Sequence, residues 1–280
     1  MNDLDNLLVH SGQGNYPVEF FVNIEELIAS KSEHSDEVFI VIDEHVLDLY
    51  PVLSSFYPKT PIYTVVASEA TKTLQGVEEL SSWLISVSAT RSSRIIAIGG
   101  GVVQDLVTFT AHVYYRGISW EFIPTTLLSQ SDSCIGAKCG INVAPFKNQI
   151  GVFHSPSKVS IVSEFLNTLS EIDLESGFGE IFKLSVTGHD EFFDALKHFL
   201  LLPRRTNNEL LNLLHLSLKA KKSVIEEDEY ENDLRRILNY GHSFGHALES
   251  LTNYAVSHGH GVFFWNGHYQ LSWSPMGDFR

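Results

Sequence analysis

Between residues 239 and 260 the chain reads NYGHSFGHALESLTNYAVSHGH, which sets His242 and His246 four positions apart on one helix face, with His258 and His260 close behind. Two imidazoles one turn apart suit a divalent cation, though polar helix faces and hydrogen-bonded core histidines share that spacing. A catalytic zinc centre asks for a third protein donor beside an open position, and Glu180 in GFGEIFK is the candidate. Its apolar, glycine-rich setting is a poor place for a freely solvated carboxylate. A second chemistry lies in RIIAIGGGVVQDLVTF, a strand that runs through Gly99, Gly100 and Gly101 into a helix. Such a turn lets backbone N–H groups meet a pyrophosphate. It equally describes an ordinary tight turn, because Gln104 takes the last glycine position of the dinucleotide fingerprint. The third is local positive charge: Arg116, Lys138, Lys147 beside Asn148, Lys183, Lys221 and Arg235. Each alone suits a solvated surface, and together they suit a phosphorylated, carboxylated metabolite.

These groups need elements to position them. VEFFV (18–22), EVFIVID (37–43), PIYTVVAS (61–68), RIIAIGG (94–100) and WEFIPTT (120–126) read as strands covered on both faces, with helical periods over 23–31, 73–87 and 102–115 between them. That rhythm predicts a Rossmann-like parallel sheet. Beyond about residue 165 the periods are helical: 172–187, 190–201, 208–227 and 234–253, with a break at LLPRRTNN around Pro203. The predicted fold is therefore α/β, a Rossmann-like domain over 1–165 followed by a helical domain over 166–280.

Composition bounds the partners. With 280 residues, 44% hydrophobic and 19% charged, the chain has the balance of a folded globular protein. Its net charge of -15 opposes a broad footprint on nucleic acid or on an anionic membrane, so an anionic ligand must meet a local basic cluster. The two cysteines, Cys134 and Cys139, provide neither a disulfide framework nor a four-cysteine metal knuckle. The acidic start MNDLDNLLVHSGQGN lacks a basic segment followed by an apolar run, and no stretch of 18 apolar residues occurs, so a cytoplasmic location is expected.

Several blocks extend these local readings: SEATK (68–72), GGGVVQDL (99–106), YYRG (114–117), PTTLLSQSDSCIGAKCGIN (124–142), KNQIGVF (147–153), GEIFK (179–183) and LRRILNYGHSFGHALE (234–249). In this order the chain resembles the 3-dehydroquinate synthase family of sugar-phosphate cyclases from about residue 35 to 262. The resemblance implies an N-terminal NAD-binding domain, a helical metal- and substrate-binding domain, and an active site in the cleft. It implies a divalent metal, zinc with cobalt as the alternative, on Glu180, His242 and His258, with His246 in the site but outside the metal shell. The implied NAD contacts are Glu69, Lys72, Gly99, Gly100, Gly101, Val102, Asp105, Thr125, Thr126, Asp132 and Lys147. The implied substrate contacts are Asp132, Lys138, Asn148, Lys183, Lys221, Arg235, Asn239 and His246, with Arg116 reaching the neighbouring subunit's site in a homodimer.

The reaction so implied is phosphate loss and ring closure of 3-deoxy-D-arabino-heptulosonate 7-phosphate to 3-dehydroquinate, a step of aromatic amino acid biosynthesis on the shikimate pathway. NAD is regenerated and no net redox occurs. Ala137 and Cys139 alter the family's usual GGKTG to GAKCG, Gln104 replaces a small residue, and His260 stands where a glutamate is usual. Ala137 also fits relatives that cyclise sedoheptulose 7-phosphate or glucose 6-phosphate, whereas Arg235 and Asn239 follow the dehydroquinate pattern. A guanidinium is a natural clamp for a carboxylate. Family members continue beyond Val262 through further helices, so the chain is expected to be incomplete at its C-terminus and to bind NAD better than it turns over. Two other readings are a polyol dehydrogenase of related architecture and a truncated, non-catalytic paralogue.

Overall fold

The computed structural model describes residues 4–30, 37–55, 59–188, 190–202 and 206–239. Contacts divide the chain into two units, Met1–Thr168 and Leu169–Arg280. The first contains β1 (Leu7–Val9), β2 (Tyr16–Phe21), α1 (Ile24–Ala29), β3 (Val38–Asp43), α2 (Glu44–Leu49), β4 (Ile62–Val65), α3 (Leu74–Ser86), β5 (Arg94–Gly99), α4 (Gly101–Val113), β6 (Ser119–Pro124), β7 (Ile141–Val143), β8 (Phe146–Ile150) and β9 (Lys158–Val162).

Seven strands form one sheet in the order β1-β2-β9-β6-β5-β3-β4, parallel at every pairing except the antiparallel β1–β2 edge. The parallel core agrees with the strand rhythm. Two features differ from it. β9 lies between β2 and β6, although KVSIV was not expected as a strand, and β7 pairs with β8 in a separate two-stranded ribbon. A five-residue apolar run is too short to show periodicity, so β9 is defined by the neighbours that cover it. The helix α2, also unexpected, starts directly from β3, with the Asp43 side chain accepting from the His45 backbone N–H at 3.0 Å.

Alternation places Ile96 and Ile98 of β5 with Ile40, Ile42, Ile123 and Val162 in a core closed by Ile24 and Leu27 of α1 and by Phe165. Ile95 and Ala97 therefore point to the opposite face of the sheet, and they too are wholly buried. In strand order the chain runs outward from β3 to β4 and then returns to the other side of β3 with β5. The carboxyl ends of β3 and β5, at Asp43 and Gly99, consequently flank the point where strand order reverses, the usual crevice for a ligand in an open α/β sheet.

The second unit contains α5 (Glu171–Thr187), α6 (Asp190–Leu201) and α7 (Asn207–Glu227), which pack on one another. Ser170 caps α5 by accepting from Asp173, and Thr206 with Glu209 forms a capping box on α7. The helix expected over 234–253 begins instead as a 3-10 turn, Leu234–Asn239, and its remainder lies outside the described residues. Among the described residues no helix is long and apolar enough to cross a membrane.

The fully buried Ile96 tests the parallel core: Ile96→Ala should lower the unfolding free energy by about 2–5 kcal/mol in denaturant titration. A loss below about 1 kcal/mol would mean that β5 is not central.

Candidate active site

In the first unit, β5 ends at Gly99 and α4 begins two residues later. The chain passes so close to Thr126 that a Cβ on Gly100 would lie 2.8 Å from the Thr126 Cγ2. Thr125 N–H donates to the Gly99 carbonyl at 3.0 Å, which ties the ends of β5 and β6 together. No side-chain oxygen caps α4 at Gly100, so the first-turn backbone N–H groups, including that of Val102, have no competing side-chain cap there, as an anion-binding helix end requires. The structure thus brings Gly99, Gly100, Gly101, Val102, Thr125 and Thr126 together around one turn.

Gln104 gives that turn a second anchor. It is buried, its Nε2 donates to the Ser133 carbonyl at 2.6 Å, and its Oε1 accepts from the Ser133 hydroxyl at 2.6 Å. The pair fastens α4 to the π-type turn Ser129–Ser133 that carries Asp132. Its departure from a small residue is therefore structural: the long amide spans to a segment 29 positions later in the chain.

Lys72 organises the remaining groups. Its buried ammonium donates to Asp105 Oδ2 at 3.0 Å and to Asn148 Oδ1 at 2.7 Å, with Glu69 Oε2 at 3.8 Å. Lys147 reaches Glu69 Oε1 at 3.8 Å from the opposite side. Asn142, which no sequence signal marked, connects the ribbon to this cluster. Its side chain donates to Glu69 Oε2 at 2.8 Å and accepts from Asn148 N–H at 2.9 Å, and its own N–H donates to the Lys72 carbonyl at 2.9 Å. Glu69, Lys72, Asp105, Lys147 and Asn148 are therefore one network.

Two non-glycine residues of this region have left-handed backbone. Ala137 and Asn148 hold φ of 61° and 55°, in the left-handed region that disfavours an alanine most. Lys138, next to Ala137, is exposed. Arg116 is exposed on a loop where Tyr115, Arg116 and Gly117 have φ of 48°, 63° and 120°. It stands beyond the C-terminal end of α4, about 20 Å along that helix from the glycine turn, and so is not gathered into its own chain's cluster. Both cysteines are free thiols, and burial pushes Cys139 up to about 12.

In the second unit, Glu180 and Lys183 on α5 are 1% and 2% exposed, and the Lys183 ammonium donates to Glu180 Oε2. Lys221 on α7 and Arg235 on the 3-10 turn are also buried, and that turn packs on both helices. Arg235 Nη1 donates to the Glu229 carbonyl, and the exposed Asn239 donates to Glu231 Oε1. The buried charges among the described residues of this unit are thus three cations and one carboxylate. Burying ions is costly, so each of these charges must be met by partners inside the fold, as Lys183 is by Glu180. His242, His246 and His258 lie outside the described residues, and among the described residues no three metal-ligating side chains gather.

Residues 62–176 match the family model for the 3-dehydroquinate synthase N-terminal domain, and residues 177–265 match that for the C-terminal domain. The chain belongs to the 3-dehydroquinate synthase family. It is 36% identical over 260 residues to 3-dehydroquinate synthase of Clostridium tetani, covering 90% of this chain and 69% of that one. It is 39% identical over 253 residues to the enzyme of Dictyoglomus turgidum, covering 90% and 71%. Among solved structures, the 2-epi-5-epi-valiolone synthase of Streptomyces hygroscopicus, with NAD+ and Zn2+ bound, superposes with a TM-score of 0.78 at 28% identity, covering 90% of this chain and 73% of that one.

The network has a titration signature. Burial raises the Asp105 carboxyl from 3.8 to about 6, against the lowering effects of Lys72 and of the Gly140 N–H. A carboxyl raised in the folded state holds its proton more tightly there than in the unfolded chain. Its contribution therefore favours folding below pH 3.8 and is lost as pH rises through about 6, a change of about 3 kcal/mol. Asp105→Asn should remove this dependence, so that the stability of wild type relative to the variant falls by about that amount between about pH 3.5 and about pH 7 in denaturant titrations. A constant difference would show that Asp105 titrates as an ordinary carboxyl.

Proposed function

We propose that this chain is a 3-dehydroquinate synthase, which converts 3-deoxy-D-arabino-heptulosonate 7-phosphate to 3-dehydroquinate and phosphate with NAD and a divalent metal. The observation that carries the reading is the burial of three cations, Lys183, Lys221 and Arg235, in the helical unit of a chain whose net charge is -15. An acidic protein that buries three cations in one small helical unit is built for a multiply charged anion. Family membership supplies the substrate class, since the relatives at 36% and 39% identity are 3-dehydroquinate synthases.

The residues fit both groups. The first-turn N–H groups of α4 and the close approach of Gly100 to Thr126 leave room for a pyrophosphate against the helix end. Glu69, Lys72, Asp105 and Lys147, which pair with one another as Lys72–Asp105 and Lys147–Glu69, would hold the cofactor's hydroxyls and phosphates. For the metal, Glu180 is a buried carboxylate, and with the imidazoles of His242 and His258 it would make a mixed oxygen and nitrogen donor set of the kind zinc or cobalt takes. When bound, NAD supplies a transient hydride acceptor and the metal a Lewis acid.

The protein's own groups bind and orient. Lys183 and Lys221 hold the phosphate and hydroxyl oxygens, Arg235 takes the carboxylate through its planar fork, and Asn239 and His246 complete the sugar contacts. Asp132, Lys138 and Asn148 are the further substrate contacts of this reading. Arg116, exposed at the far end of α4, reaches the site of a second copy, which makes the enzyme a homodimer. Its location is the cytoplasm.

Phosphate release by the purified chain, supplied with NAD and zinc, tests the reading. Turnover is expected with the carboxylated heptulosonate and should collapse after dialysis against a chelator, returning with zinc or cobalt. Release from sedoheptulose 7-phosphate or glucose 6-phosphate instead would replace the substrate assignment. Arg235→Lys keeps the charge but loses the fork, and should lower kcat/KM by about 5- to 150-fold, or ~1–3 kcal/mol, with NAD affinity unchanged. Equal kcat/KM in the two proteins would remove Arg235 from the carboxylate.

A further inference from the structure

The segment that delivers Arg235 is held by one carboxylate. Asp228 follows α7 directly, and its Oδ1 accepts from the Asn232 N–H at 2.8 Å. Its Oδ2 accepts from the Asp233 N–H at 2.8 Å and from the Arg235 N–H at 3.0 Å. These backbone donors hold the Asp228 carboxyl below its ordinary value, the Asp233 N–H most strongly. The loop turns at Glu231, whose φ is 59°. Its sequence, EYENDL over 229–234, contributes no buried side chain, and Arg235 is the first buried residue after Ile225. A loop without apolar anchors takes its shape from its hydrogen bonds, and here three of them converge on Asp228.

We infer that Asp228 is a positioning residue for the substrate-binding guanidinium: its carboxylate sets the backbone from which Arg235 enters the site and, through the same loop, the Glu231 contact to Asn239. Arg235 is fixed at both ends by this one segment, its N–H by Asp228 and its Nη1 by the Glu229 carbonyl. Displacing the loop moves the fork without removing it. A planar fork depends on direction as well as charge, so a shift of the backbone costs substrate binding that a point charge would retain. Asp228 acts only through other residues and touches no substrate. This inference rests on the proposed role of Arg235.

The test is kinetic and structural together, on the full chain with NAD and zinc. Asp228→Ala should raise KM for the heptulosonate phosphate about tenfold while the Kd for NAD stays within about twofold. Asp228→Asn, which keeps one acceptor oxygen and avoids any loss of folding, should give a smaller rise in the same direction. In an Arg235→Ala background, Asp228→Ala should raise KM by much less than tenfold, because the guanidinium it positions is gone and only the Asn239 contact remains to be disturbed. Equal losses in both backgrounds, or equal weakening of NAD, would overturn the positioning role and leave a general structural one. Amide exchange reads the claim without turnover: the N–H groups of Asn232, Asp233 and Arg235 should exchange about tenfold faster in the Asp228 variants. Unchanged exchange overturns the inference whatever the activity, whereas fast exchange in a chain whose wild type releases no phosphate sinks the proposed function and spares the loop.

Discussion

A buried ammonium must find oxygens, and in the first unit Lys72 finds them on two elements that are remote in sequence, Asp105 on α4 and Asn148 on the β7–β8 ribbon. Leaving either bond unmade would strand a charge away from water. The ribbon must therefore come down onto the start of α4, and Gly140 must lack a side chain, since a Cβ there would lie 2.6 Å from Asn148 Oδ1. Asn142 closes the arrangement through Glu69 and the Lys72 carbonyl. The glycine turn, by itself a common device, becomes part of a built site because this network and the Gln104–Ser133 pair set what surrounds it.

The second unit solves a related problem with the opposite sign balance. Glu180 and Lys183 lie one turn apart on α5 and pair in the interior, while Lys221 and Arg235 bring further positive charge from α7 and the turn beyond it. A net charge of -15 repels anions at long range, whereas the fields of a few desolvated cations are little screened. Holding such cations in place is costly where the chain is polar. The Asp228 loop answers that cost by spending a carboxylate on backbone donors.

What was legible in the sequence follows the range of the physics involved. The strands β3, β5 and β6 were readable because runs such as RIIAIGG are apolar on both faces, and α5 to α7 because their apolar spacing persists over several turns. β9 was not, since five residues carry no usable period and its place between β2 and β6 depends on neighbours far away in the chain. The 3-10 turn Leu234–Asn239 stands where a helix start was expected, with Asp228 accepting from the N–H groups of Asp233 and Arg235 at its beginning. Gln104 and Asn142 act through partners 29 and 73 positions distant, and no local pattern encodes such a pairing.

By itself the sequence determined the parallel α/β character of the first half, the helical character of the second, the glycine turn, the acidic charge balance and the family. All of these are properties of composition, period and ordered motif, which survive without knowledge of distant contacts. Only the tertiary structure decided that Lys72 is the centre of the first unit's polar network and that Glu180, Lys183, Lys221 and Arg235 are interior charges. The reason is that burial and hydrogen bonding belong to pairs of residues. A lysine reads the same in sequence whether it waves in solvent or sits beneath a helix end, and it is the folded chain that removes the water and makes its partners obligatory.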